Sequence, residues 1–122
     1  MRSRWSCDLP LTVQPSVVDL AGDGFIDNFR ELDDERWTVS DGWSNGDWTS
    51  SDWRRGQVRL TPEGLALTLD VAPRGSDKPF MSGEISTSEE FRYGYFETRM
   101  RSPRGAGLVV GAFTFTREAG NS

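Results

Sequence analysis

Gly64-Leu65-Ala66-Leu67-Thr68-Leu69-Asp70-Val71 is the stretch whose reading decides the fold. Successive side chains of a strand point to opposite faces, so Leu65, Leu67, Leu69 and Val71 share one face and Ala66, Thr68 and Asp70 the other. Upstream, Gln57–Thr61 reads as a second strand, and Thr61-Pro62-Glu63-Gly64 joins the two as a tight turn. Pro62 presets φ there, and Gly64 is free to take φ > 0. Downstream, a loop over Pro73–Pro79 precedes strands expected at Phe80–Thr87, Phe91–Arg101 and Leu108–Thr116. The last is apolar enough to lie centrally in a sheet. No segment has the 3.6-residue apolar period of an amphipathic helix; Glu31–Arg36 has room for one helical turn. Residues 1–22, with Pro10, Pro15 and Gly22, read as an irregular N-terminal leader, and 23–122 as one partial β-sandwich domain. The fold class expected is all-β and antiparallel, with roughly five to seven strands, at or below what an independent two-sheet sandwich needs.

Composition prunes the chemistry. At 122 residues, 35% apolar and 27% charged, the chain has room for one globular domain. It contains no histidine, which excludes Ser-His-Asp triads and His-ligated metals. Its one cysteine, Cys7, excludes an internal disulfide. A net charge of −5 without a basic stripe argues against a nucleic-acid partner. No window approaches the ~18 consecutive apolar residues of a membrane span. Arg2 and Arg4 start like a signal peptide, but Asp8, Pro10, Gln14, Pro15 and Asp19 leave no apolar core behind them. An enzyme made of these residues works with carboxylates.

Three stretches in register carry a resemblance. The first runs from Phe25-Ile26-Asp27-Asn28-Phe29 through Arg36-Trp37 to Asp41-Gly42-Trp43-Ser44-Asn45-Gly46. The second is Ser82-Gly83-Glu84-Ile85-Ser86-Thr87 followed by Phe91-Arg92-Tyr93-Gly94-Tyr95-Phe96-Glu97. The third is Gly107-Leu108-Val109-Val110-Gly111-Ala112-Phe113-Thr114-Phe115-Thr116. Together they resemble glycoside hydrolase family 16, in particular its bacterial lichenases and exopolysaccharide-trimming endo-β-1,3-1,4-glycanases.

The resemblance implies a concanavalin A-like β-jelly-roll, two curved antiparallel sheets around a sugar-binding cleft. It implies an endo-acting β-glucanase that hydrolyses O-glycosidic bonds in β-glucan or bacterial exopolysaccharide with retention, by a nucleophile Glu and an acid/base Glu. In the family these stand on one strand as Glu-x-Asp-x-Glu or Glu-x-Asp-x-x-Glu, after the strand that Leu108–Thr116 matches. The expectation is therefore an incomplete jelly roll with no catalytic residue of its own, the motif lying beyond Ser122, and a chain that is inactive and folds weakly alone. Glu31-Leu32-Asp33-Asp34-Glu35 fits the motif by letter, but five residues of poor β propensity read better as a solvated turn capped by Asp33 or Asp34.

Four residues match substrate-binding positions of the family: Asn45, Glu84, Trp43 and Phe113. Asn45 has an amide that both donates and accepts, which suits vicinal hydroxyls, although Ser44-Asn45-Gly46 is also a turn sequence. Glu84 faces opposite to Ile85 by strand alternation; it either binds a sugar hydroxyl or pairs with Arg99 or Arg101 across the sheet. Trp43 and Phe113 offer faces on which sugar rings stack, with Trp48, Trp53 and Phe115 as further candidates and Trp5 and Trp37 as packing residues. Gly94 reads as a bulge or close backbone approach. Lichenases carry an Arg two residues after the Glu84 position, where this chain has Ser86, which points away from cereal mixed-linkage glucan. They also carry a disulfide whose cysteines fall near Ser51 and Ser82, so that staple is missing. The resemblance allows a structural calcium held by backbone carbonyls and otherwise implies no cofactor. It implies a β-linked polysaccharide as partner, a monomer when full length, and an extracellular or periplasmic location. The rival readings are a non-catalytic, lectin-like carbohydrate-binding module and a truncated product without function.

Overall fold

A computed structural model describes the strand Ser3–Asp8 and residues 24–116. Seven strands follow in order: β1 Ser3–Asp8, β2 Trp37–Val39, β3 Ser51–Trp53, β4 Val58–Thr61, β5 Gly64–Val71, β6 Phe80–Ser82 and β7 Ile85–Thr87. A 3₁₀ turn, Arg55–Gln57, sits between β3 and β4. The architecture is all-β, as expected.

The alternating stretch organises the sheet. β5 pairs antiparallel with β1 from Gly64 to Leu69, with β4 from Gly64 to Leu67, and with β6 at Asp70 and Val71. The β4–β5 hairpin closes through Pro62 and Glu63 with Thr61 opposite Gly64. Gly64 takes φ 133°, and the Thr61 hydroxyl donates to its carbonyl at 2.9 Å. Leu65, Ala66 and Leu67 form the buried apolar core.

Both faces of β5 are covered. Thr68 and Asp70 are as buried as the leucines, because the side chain of Gln57 folds onto that face from the 3₁₀ turn. Its amide donates to Thr68 Oγ1 at 2.8 Å, to Asp70 Oδ2 at 2.8 Å and to the Thr68 carbonyl at 3.2 Å. A buried amide answered in this way avoids the cost of an unsatisfied polar group.

Five expectations are corrected. The leader is not irregular throughout: Ser3–Asp8 is a full strand along β5, since an apolar central strand needs a ladder on both edges. Trp5 and Cys7 lie in β1, whose side chains, like residues 9–23 and 117–122, are outside the described residues. β3 and β6 run parallel, not antiparallel. Phe80–Thr87 is two strands: β6 belongs to the large sheet and β7 pairs antiparallel with β2 in a second, two-stranded sheet. The change of sheet falls at Gly83, where a Cβ would stand 2.6 Å from the Gln57 carbonyl. Lastly, Phe91–Arg101 and Leu108–Thr116 form no strands beyond a single bridge at Arg101. An apolar alternation makes a strand only where a neighbouring backbone accepts its hydrogen bonds, and none among the described residues does. Tyr93, Val109, Phe113 and Phe115 are correspondingly exposed.

Candidate substrate-binding site

The site is built on the segment Ser40–Gly46, which runs between β2 and β3. At its start Ser40, buried, grips Glu84 twice: the backbone N–H donates to the Glu84 carbonyl at 3.1 Å and the hydroxyl to Glu84 Oε1 at 2.6 Å. Three residues on, Trp43 forms an antiparallel bridge with Trp53. Gly42 N–H donates to the Trp53 carbonyl at 2.8 Å, and Trp53 N–H to the Trp43 carbonyl at 2.7 Å. Gly42 takes φ 81° to reach this register, a left-handed conformation that costs a side-chain-bearing residue about 1–2 kcal/mol. The two indoles then meet edge-on, 6.2 Å between centroids at 66°. Trp43 stays 48% exposed.

Asn45 closes the cluster. Trp53 Nε1–H donates to Asn45 Oδ1 at 3.0 Å, which engages one of the two lone pairs of the amide oxygen. The sequence leaves Asn45 able to donate and accept, and the fold fixes its oxygen on the Trp53 indole. The four expected residues are thus not all brought together. Trp43 and Asn45 meet around Trp53. Glu84 joins them through Ser40, at most ~11 Å along an extended chain from Trp43. Phe113 does not join: among the described residues its ring pairs with the Phe115 ring, at 6.4 Å, and it is 77% exposed.

Glu84 is not in the cross-strand ion pair weighed from the sequence. Its partner is Ser40, while Arg101 binds Glu63 at 3.3 Å. Glu31–Glu35 holds no strand: Glu31 is a bend, and Asp34 and Glu35 enter a turn that ends at Arg36. Asp33 Oδ1 accepts the N–H groups of Glu35 at 2.9 Å and Arg36 at 3.3 Å, and Asp34 pairs with Arg55 at 3.0 Å. It offers no carboxylate row on a strand. Trp37 packs, as expected, edge-on to Phe25 at 5.7 Å with its Nε1–H on Asp27 Oδ2 at 2.7 Å. Two contributors escape the sequence reading. Nothing in the letters marks Ser40, whereas Lys78, which bonds the loop after Asn45, is the only lysine in an arginine-rich chain.

Ser51 and Ser82 stand in contact, hydroxyl to hydroxyl at 3.0 Å, across the β3–β6 pair. Among the described residues no group of three or more acidic or thiol side chains could hold a metal ion. No helix among them is long and apolar enough to cross a membrane.

Residues 45–122 match the family model for glycosyl hydrolases family 16. The chain belongs to that family. An endo-1,3-1,4-beta-glycanase, ExoK, of Rhizobium meliloti is 37% identical over 91 residues, covering 75% of this chain and 34% of that protein. A beta-glucanase of Acetivibrio thermocellus is 36% identical over 98 residues, 80% of this chain and 29% of its own length. A beta-glucanase of Bacillus amyloliquefaciens is 34% identical over 104 residues, 85% and 43% respectively. This family 16 chain therefore spans roughly a third of the length of the curated relatives it matches. No solved structure matches it significantly.

Proposed function

We propose that this family 16 chain supplies the substrate-binding part of an endo-acting β-glucanase, which cuts O-glycosidic bonds of a β-glucan or bacterial exopolysaccharide with retention. The observation that carries this is the joined set Trp43–Trp53–Asn45 and Ser40–Glu84. Trp43 presents a half-open indole on which the axial C–H face of a sugar ring stacks. Asn45, its Oδ1 held by Trp53, donates from Nδ2 to a sugar oxygen. Glu84, its Oε1 held by Ser40, accepts a sugar hydroxyl at Oε2. Each polar group is oriented by a neighbour before sugar arrives, which lowers the ordering cost of binding.

Retention requires two carboxyl groups about 5–5.5 Å apart. The motif match at Glu31–Glu35 lies off any strand, and Glu84 serves binding, so residues 1–122 by themselves hold sugar without cutting it. A large polysaccharide substrate places the working enzyme outside the cytoplasm. The lectin-like reading shares the same binding residues and differs only in lacking turnover by any longer product that carries this chain. Binding of β-linked oligosaccharides is measured by calorimetry and reducing-end release on a glucan panel. Binding without release by residues 1–122 is the expected result, and no binding by any member of the panel refutes the site. Ser86, where lichenases carry Arg, predicts that lichenan is not the best substrate of the active protein; lichenan at the head of the panel refutes that part.

A further inference from the structure

The chain's single lysine does not seek a carboxylate. Lys78 Nζ donates to two main-chain carbonyls of one turn, Gly46 at 3.0 Å and Thr49 at 2.8 Å. The same Gly46 carbonyl accepts the Thr49 N–H at 3.2 Å and the Thr49 hydroxyl at 3.1 Å. Gly46 holds φ 120° at the start of the turn, and its N–H donates to Ser44 Oγ at 3.3 Å. The lysine is itself anchored. Two residues after it Phe80 N–H donates to the Ser50 carbonyl at 3.1 Å, the first tie between the turn's exit and β6. An ammonium on carbonyls makes charge-assisted bonds, roughly twice as strong as neutral ones. Lys78 thus fastens the turn 46–49 to the β3–β6 pair by a side chain, at the point where the backbone ladder gives out.

What the turn carries is Trp48. Its indole lies over Gly46, where a Cβ would stand 3.4 Å from Trp48 Cδ1. The side chain is nevertheless 76% exposed. A single exposed aromatic needs no explanation. Here, however, the ring is seated on a glycine, its turn is braced by a part-buried ammonium, and Asn45 and the half-open Trp43 stand beside it in the chain. We infer that Trp48 is a carbohydrate-stacking platform that extends the Trp43–Asn45 site by a further sugar unit, and that Lys78 is the positioning residue that holds it in place. The inference rests on the binding reading above and adds to it a longer site with a specified rim.

The test is calorimetric binding to the full chain of β-1,3-, β-1,4- and mixed-linkage gluco-oligosaccharides, from disaccharide to hexasaccharide. Trp48→Ala is expected to weaken the longer oligosaccharides by about tenfold, the worth of one stacked ring, and to leave the shortest binding member unchanged. Lys78→Met should reproduce the length-dependent loss, Lys78→Arg should restore most of it, and Lys78→Met added to Trp48→Ala should cost nothing more. Non-additivity of that kind marks a residue that acts through another. Faster hydrogen exchange at the Thr49 amide in Lys78→Met checks that the turn, not the whole sheet, has loosened. Parent-like binding of every length by Trp48→Ala overturns the platform while leaving the Asn45–Glu84 site intact. Equal loss at every length in Lys78→Met, with β5 amides also exchanging faster, assigns Lys78 to general stability and overturns its positioning role. A parent that binds no oligosaccharide overturns both this inference and the binding reading beneath it.

Discussion

Replacing Ser51 and Ser82 by cysteine should staple the sheet. The two hydroxyl oxygens are 3.0 Å apart, and the longer bonds of sulfur close the remaining distance to an S–S bond of about 2.05 Å. The serines are staggered, Ser51 opposite Phe80 and Ser82 opposite Trp53, so the bond crosses the β3–β6 pair diagonally. The Ser82 hydroxyl already donates to that of Ser51, so the two side chains point at one another. The bridge would close a loop between positions 31 apart in sequence. Loop-closure entropy for that length stabilises the folded chain by about 3.7 kcal/mol. The lost Ser–Ser hydrogen bond offsets about 1 kcal/mol of this, leaving a net gain of about 2.5–3 kcal/mol. For a domain of this size that is a rise in midpoint of about 10–20 °C. The double variant belongs in a Cys7→Ser background, which removes the competing thiol. Thiol titration with and without denaturant reports whether the bond has formed, and thermal unfolding with and without reductant reports its worth. Thiols that stay free after mild oxidation would refute the contact; a bond that forms without raising the midpoint would refute the entropy argument.

Four other substitutions test separate parts of the reasoning. Gly83→Ala places a methyl 2.6 Å from the Gln57 carbonyl. It should cost about 1–3 kcal/mol, because the neighbour is backbone and cannot swing aside; denaturant unfolding measures it. Gln57→Ala withdraws the buried amide from Thr68 and Asp70, with an expected loss of about 2–3 kcal/mol seen as weaker hydrogen-exchange protection along β5. Glu84→Gln keeps an oxygen for the Ser40 hydroxyl, so the melting point should hold. Sugar affinity should fall by the ~1.5–3 kcal/mol of a charge-assisted hydrogen bond; unchanged affinity with lowered stability would make Glu84 structural. Asn45→Asp retains an acceptor for Trp53 Nε1–H but loses the outward donors. Titration of the longest bound oligosaccharide should show roughly tenfold weaker binding with the Trp53 indole N–H resonance little moved.

The site was legible in the sequence only one residue at a time. Asn45, Glu84 and Trp43 stand out because their residue types and neighbours match a family pattern. That Trp53 takes the Asn45 acceptor, and Ser40 one Glu84 oxygen, follows from long-range approach over separations of 8 and 44 residues. Phe113 shows the converse. Its segment has the apolar alternation of a cleft strand, yet pairing is a property of two backbones, and among the described residues the second is not beside it.

The chain's own letters determined what local physics can settle. The alternation of Gly64–Val71, the turn at Pro62-Glu63, the capped turn at Asp33 and the lack of any helical period follow from side-chain spacing and φ preferences within a few residues. They appear in the structure at the expected positions. Tertiary structure decided the rest. It made Ser3–Asp8 a strand, because a central β5 leaves a ladder of donors and acceptors that only a distant segment can fill. It split Phe80–Thr87 between two sheets, because the Gln57 carbonyl lies where a side chain at position 83 would stand. It also set Lys78 on the turn before β3, across a gap of 32 residues to Gly46. Such contacts depend on which surfaces meet after the strands have paired, and no window of neighbouring residues contains that information.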